Sequence, residues 1–191
     1  MIRFLAALLL LLAAGIAHAA VIFTTYMDGP SENPAVPSPG TGFAKVTFDG
    51  DAHTLRVELT FADLVGATTV AHIHCCVDEP GTVGVATFPG TFPGFPAGVM
   101  SGAYDGTWDL LDTGSYTATF LNNFGGGTAL GAEAALLQGM LDGRAYVNVH
   151  TSFAPGGEIR GFLAVPEPGT LALLGVGVGA LLSRRRTISR R

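Results

Sequence analysis

The sequence predicts an all-β domain, a Greek-key β-sandwich or barrel with one short helix. Three observations carry that prediction. Short apolar stretches alternate with polar residues at a period of two, as where Leu55, Val57, Leu59 and Phe61 take one side of a strand. Turn-forming residues such as Asp49-Gly50-Asp51 and Ala154-Pro155-Gly156-Gly157 separate these stretches. The composition, 48% hydrophobic and 13% charged, is too apolar for a disordered chain, and its 27 glycines show no collagen-like period.

The elements follow in order. Residues 44–48 and 53–61 form a hairpin across the 49–51 turn. Residues 68–74, 115–121, 144–150 and 158–165 complete a set of six strands. In 115–121, Tyr116, Ala118 and Phe120 alternate with Thr117, Thr119 and Leu121. One helix is expected over 132–141, with Leu136, Leu137 and Met140 on one side. Residues 88–100 are broken by proline and glycine and read as a loop. Several short strands with turns between them suit a sandwich or barrel.

Both termini read as addresses, leaving one folded domain at 20–165. Arg3, an apolar stretch over 4–14 and the small-residue site Ala17-His18-Ala19 make residues 1–19 a signal peptide. At the other end, Pro166-Glu167-Pro168-Gly169 precedes an apolar run over 171–182 and then Arg184-Arg185-Arg186. As a helix that run would reach about 18 Å, short of a hydrocarbon core of roughly 30 Å. Its basic end would stay on the cytoplasmic side.

Charge excludes one class of partner. Residues 20–165 hold four basic and fourteen acidic side chains, a balance of −10 against −5 for the whole chain. Such a body lacks the cations that phosphate backbones require, so nucleic acid is excluded.

The chemistry concentrates in a few residues. In a strand, His72 and His74 share one face while Ala71 and Ile73 fill the core, so both imidazoles should turn outward. The same alternation turns Tyr146, Asn148 and His150 outward, opposite Val147 and Val149. If the two strands are neighbours, His72, His74 and His150 converge, and three neutral imidazoles suit copper or zinc. The competing reading makes them hydrogen-bonding histidines that fix loops. His53, beside Asp51, reads as a solvated turn residue.

Cys75 and Cys76 are adjacent and are the only two cysteines. Three readings stand: a disulfide between them, favoured by an oxidising compartment; two free thiols; or Cys76 as a further metal ligand. No nearby Lys or Arg activates a catalytic thiol, no carboxylate pair has acid–base spacing, and no hydrolase elbow or nucleotide fingerprint occurs. These absences argue against an enzyme.

Three resemblances extend this reading. The order Pro-Glu-Pro, apolar run and terminal arginines over 166–191 resembles a PEP-CTERM sorting signal, with Pro166, Glu167 and Pro168 as its motif. That implies a Gram-negative bacterium, a transient inner-membrane intermediate held by a short membrane helix, and an exosortase as processing partner. It also implies delivery to the cell surface or medium, where an exopolysaccharide or surface matrix is a candidate partner.

Asn33-Pro34-Ala35-Val36, Ala71-His72-Ile73-His74, Tyr146-Val147-Asn148-Val149-His150-Thr151 and Gly156-Gly157-Glu158-Ile159-Arg160-Gly161 resemble a CHRD domain, the repeated unit of chordin. The resemblance covers nearly all of 21–165 and implies an exported domain with a binding or structural role. The paired histidines and the later Val-His also resemble copper–zinc superoxide dismutase. That likeness implies His72, His74 and His150 as ligands, with Arg160 near the metal. The alternative function it offers is a copper/zinc metalloenzyme of oxidative defence.

Overall fold

The computed structural model of the protein describes residues 20–166. Seven strands make one antiparallel sheet: β1 (Val21–Asp28), β2 (Thr41–Asp49), β3 (Thr54–Ala62), β4 (Thr68–Cys75), β5 (Gly102–Asp109), β6 (Ala145–Thr151) and β7 (Ile159–Phe162). Their order across the sheet is β4-β6-β7-β1-β2-β3-β5, and the sheet curls into a half-barrel. The all-β class is the one the sequence predicts. Two helices, α1 (Ala118–Asn123) and α2 (Ala129–Leu141), follow a 3-10 turn at Thr113–Ser115.

Alternation decides which residues face the core. Phe23, Val46, Val57 and Leu59 are at most 1% exposed, as are Ala71, Ile73, Val147, Val149 and Ile159. Trp108 of β5, Phe92 and Phe95 of the long loop, and Leu136 and Met140 of α2 pack against this inner face. Burying one such side chain contributes about 1.5–3 kcal/mol.

The hairpin, β4 and β6 lie where the alternation places them. Residues 115–121 do not form a strand. Thr117 caps α1 instead, its hydroxyl accepting from the Phe120 amide at 3.2 Å. Tyr116 stays extended and bridges Thr87, while Phe120 lies in the helix; both are buried and stack at 6.2 Å, so the apolar spacing survives without a continuous strand. Helix α2 begins three residues before the expected start, because Thr128 accepts from the Gly131 amide. His53 does sit in the turn with its side chain 36% exposed, and its Nδ1 also meets the buried Glu133 carboxylate of α2 at 2.9 Å.

Sequence patterning did not reveal β1 or β5. The edge strand β5 is rich in glycine and aspartate, and it sends only Tyr104 and Trp108 inward. At the opposite edge, the loop 83–99 blunts β4. Its Thr87 and Thr91 hydroxyls accept from the Ile73 and Ala71 amides at 3.0 Å, and the Phe92 and Ala86 amides donate to the Ala71 and Ile73 carbonyls. The same loop therefore lies over the end of the sheet that carries His72 and His74.

Glu158 ties two further loops and the end of β6 together here. Its fully buried carboxylate accepts from Ser38 Oγ, the Val65 and Gly66 amides and Thr151 Oγ1. Burial pushes its pKa up, but those four hydrogen bonds outweigh burial and hold it below the ordinary carboxylate range.

The sulfurs of Cys75 and Cys76 lie within bonding reach of one another where β4 ends, and they press on α2. A Cβ at Gly139 would stand 2.2 Å from Cys75 Sγ and 2.6 Å from Cys76 Sγ, so only glycine fits there.

Candidate metal centre

Register brings the histidines together. Strands β4 and β6 are antiparallel neighbours, with Val70 opposite His150, His72 opposite Asn148 and His74 opposite Tyr146. Cross-strand partners share a face, so all three imidazoles stand on the outer side of the sheet, away from Ala71 and Ile73. Their ring centroids are 5.2–5.9 Å apart.

Outward does not mean exposed. The sequence argument turns these rings towards solvent, yet His72, His74 and His150 are only 6, 7 and 9% exposed. Loops that period-two alternation cannot register lie over them, and each ring bonds a loop carbonyl. His72 Nε2 donates to Gly90 O at 2.6 Å, His74 Nδ1 to Val83 O at 2.8 Å and His150 Nδ1 to Pro155 O at 2.9 Å.

Those bonds fix the tautomers, because a carbonyl can only accept. The remaining nitrogens, His72 Nδ1, His74 Nε2 and His150 Nε2, then carry lone pairs, and all three are buried without a partner. One nitrogen from each ring lies within 4.8 Å of the others. Each buried acceptor left unmatched costs about 1–3 kcal/mol.

Burial is the main reason all three rings sit below the ordinary histidine pKa, only partly offset by the carbonyls they bond. His74 is lowered to about 4. At neutral pH the cluster is three uncharged imidazoles, each oriented by a backbone acceptor, the arrangement that metal-binding histidines typically have.

A second layer holds these groups in place. Tyr146 stacks on His74 with centroids 4.7 Å apart and planes 4° from parallel. Its hydroxyl donates to Val83 O and accepts from Val83 N, both at 3.3 Å, so it holds the ring and the carbonyl that orients it. Arg160, fully buried, stacks over Tyr146 at 4.9 Å. Its guanidinium donates to the carbonyls of Ser31, Pro80 and Gly81. Arg160 thus stands one ring away from the histidines and ties down the segment that leads to Val83.

Glu32 lies 3.8 Å from the Arg160 Nε, too far for a hydrogen bond. Burial pushes its carboxyl up to about 7, and the guanidinium pulls it only part of the way back. No sequence signal marked Glu32, which reads as a polar residue in a turn. Tyr146 and Asn148 were placed on the correct face by alternation, but without a role.

Cys76 does not join the histidines. It sits at the α2 end of β4, its sulfur against that of Cys75, and the close group of potential ligands among the described residues consists of His72, His74 and His150.

A family model for the CHRD domain matches residues 23–163, most of the chain. The protein belongs to the CHRD-domain family. In this CHRD protein a PEP-CTERM protein-sorting motif follows directly, over 164–186. That pairing marks a protein exported through the membrane to the cell surface of a Gram-negative bacterium, with an exosortase as the partner that recognises the motif. No curated protein and no solved structure matches the chain.

The expected signal peptide at 1–19, Glu167, Pro168 and the apolar run 171–182 lie outside the described residues. Among the described residues no helix is long and apolar enough to cross a membrane.

Proposed function

We propose that this exported CHRD domain binds one copper or zinc ion through His72, His74 and His150, and that the ion braces a surface-binding domain. The observation that carries the reading is the set of three buried, unpartnered imidazole nitrogens, each on a ring whose other nitrogen is committed to a backbone carbonyl. Copper and zinc accept such neutral nitrogen donors. Ligands about 2.0–2.1 Å from an ion stand closer together than 4.8 Å, so small ring movements would close the set.

An ion here would satisfy all three lone pairs at once. It would also lock the loops that supply Gly90 O, Val83 O and Pro155 O onto the outer face. A fourth position would remain for water or a ligand. In this reading Cys75 and Cys76 stay paired as a disulfide in the exported protein, leaving the histidines as its only ligands. Release from the membrane follows cleavage beside Pro166-Glu167-Pro168, and the mature chain begins at Ala20.

Calorimetric titration of the metal-free protein with Cu²⁺ and Zn²⁺ tests the proposal. One equivalent of at least one ion should bind to the wild type. His72→Ala should weaken binding at least a hundredfold. Tyr146→Leu, which removes the stack on His74 and the clamp on Val83, should weaken it by about 10–100-fold, the usual scale for outer-shell groups. Equal, weak uptake by wild type and His72→Ala would leave the histidines as loop-fixing residues.

A further inference from the structure

The outer face of the sheet is covered over β4, β6 and β7 but open over β1, β2, β3 and β5. There the register builds a ladder, with Tyr26 opposite Phe43, Phe43 opposite Thr60 and Thr60 opposite Ala103. Tyr26 is 82% exposed and leans on Phe43 with centroids 5.2 Å apart. Grooves of about 290 and 320 Å³ are both lined by Phe43 and Thr60, forming one trough across the strands. The adjacent row is polar: Thr24, Lys45, Glu58 and Asp105 stand opposite one another in turn.

We infer that this trough binds a neutral polysaccharide chain. The apolar face of a pyranose ring would stack on Tyr26 and Phe43, and its hydroxyls would meet Thr60, Lys45, Glu58 and Asp105. An exposed ring on a sheet surface offers an apolar platform without having to be ordered first.

Charge decides the kind of polymer. Lys45 pairs with Glu58 at 2.8 Å and Arg56 with Asp105 at 2.6 Å, so beside the trough two cations and two carboxylates offset one another. The body beneath carries −10 and repels a polyanion, and both cations are already engaged. A protein partner seated here would have to desolvate both ion pairs around two rings, a costly exchange. Glycan hydroxyls donate and accept, so they can bond these charges without stripping them.

This inference is independent of the metal site. Affinity electrophoresis of the full exported chain in native gels containing hydroxyethyl cellulose, glucomannan or alginate tests it. The wild type should be retarded by at least one of the two neutral polymers and not by alginate. Tyr26→Ala should lose that retardation at least tenfold and Tyr26→Phe should keep it, with melting midpoint and metal uptake unchanged in both. No retardation by either neutral polymer, retardation by alginate alone, or full retardation of Tyr26→Ala would overturn the inference.

Discussion

Saturating the metal-free protein with Cu²⁺ or Zn²⁺ is expected to raise its thermal midpoint by roughly 8–16 °C. An ion that binds only the folded chain stabilises it by about 4 kcal/mol when its free concentration is a thousandfold above Kd. A chain of this length shifts by about 2–4 °C per kcal/mol. The gain has a local origin: three buried lone pairs lack partners until something occupies the space between them. His74→Leu should abolish the metal-dependent shift. Its effect on the metal-free midpoint should be modest, because it removes one unmatched acceptor while Val83 O keeps the Tyr146 hydroxyl as a donor. Differential scanning calorimetry with and without metal checks both halves. A wild-type midpoint unmoved by either ion would count against the site.

Arg160→Met is expected to be the most damaging single substitution among the groups around the site, costing about 3 kcal/mol or more. The guanidinium is fully buried and donates to three carbonyls from two separate segments, at Ser31 and at Pro80 and Gly81. Methionine leaves the Ser31 and Gly81 carbonyls without the guanidinium, and Pro80 O with Asn33 Nδ2 alone. Glu32 also loses the Arg160 guanidinium, and its carboxyl, already raised by burial, is driven further towards the protonated form. Arg160→Lys should rescue little, because a single ammonium cannot span the three acceptors and stack on Tyr146 together. Urea unfolding of the three proteins gives the comparison. Metal affinity should fall with Arg160→Met as well, since the segment leading to Val83 loses its anchor.

Much of this organisation is legible in the sequence, for definite reasons. Period-two alternation in Leu55, Val57, Leu59 and Phe61, and in Ala71 and Ile73, reports a sheet with one buried face. The same rule put His72, His74 and His150 on a common face, and their convergence required only that β4 and β6 pair, as they do. Alternation describes a strand against its core and says nothing of loops folded over the far side. Hence the burial of the imidazoles under Gly90, Val83 and Pro155 lay beyond it. The same limit hid Glu32, brought to Arg160 by a turn with no periodic signal. In 115–121 the pattern misled, because Tyr116 is extended but Thr117 then starts a helix that brings Phe120 back against it. In β5 the pattern was too thin, with Gly102, Asp105, Gly106 and Asp109 leaving only two apolar positions turned inward.

The central claim is that three imidazoles on neighbouring strands hold one ion. X-ray absorption spectroscopy of the protein loaded with a single equivalent of copper or zinc tests it most directly. The account predicts a first shell containing three imidazole nitrogens at about 2.0–2.1 Å and no sulfur, reduced by one imidazole in His150→Ala. A shell containing sulfur, a shell without imidazole, or a spectrum unchanged by His150→Ala would contradict it.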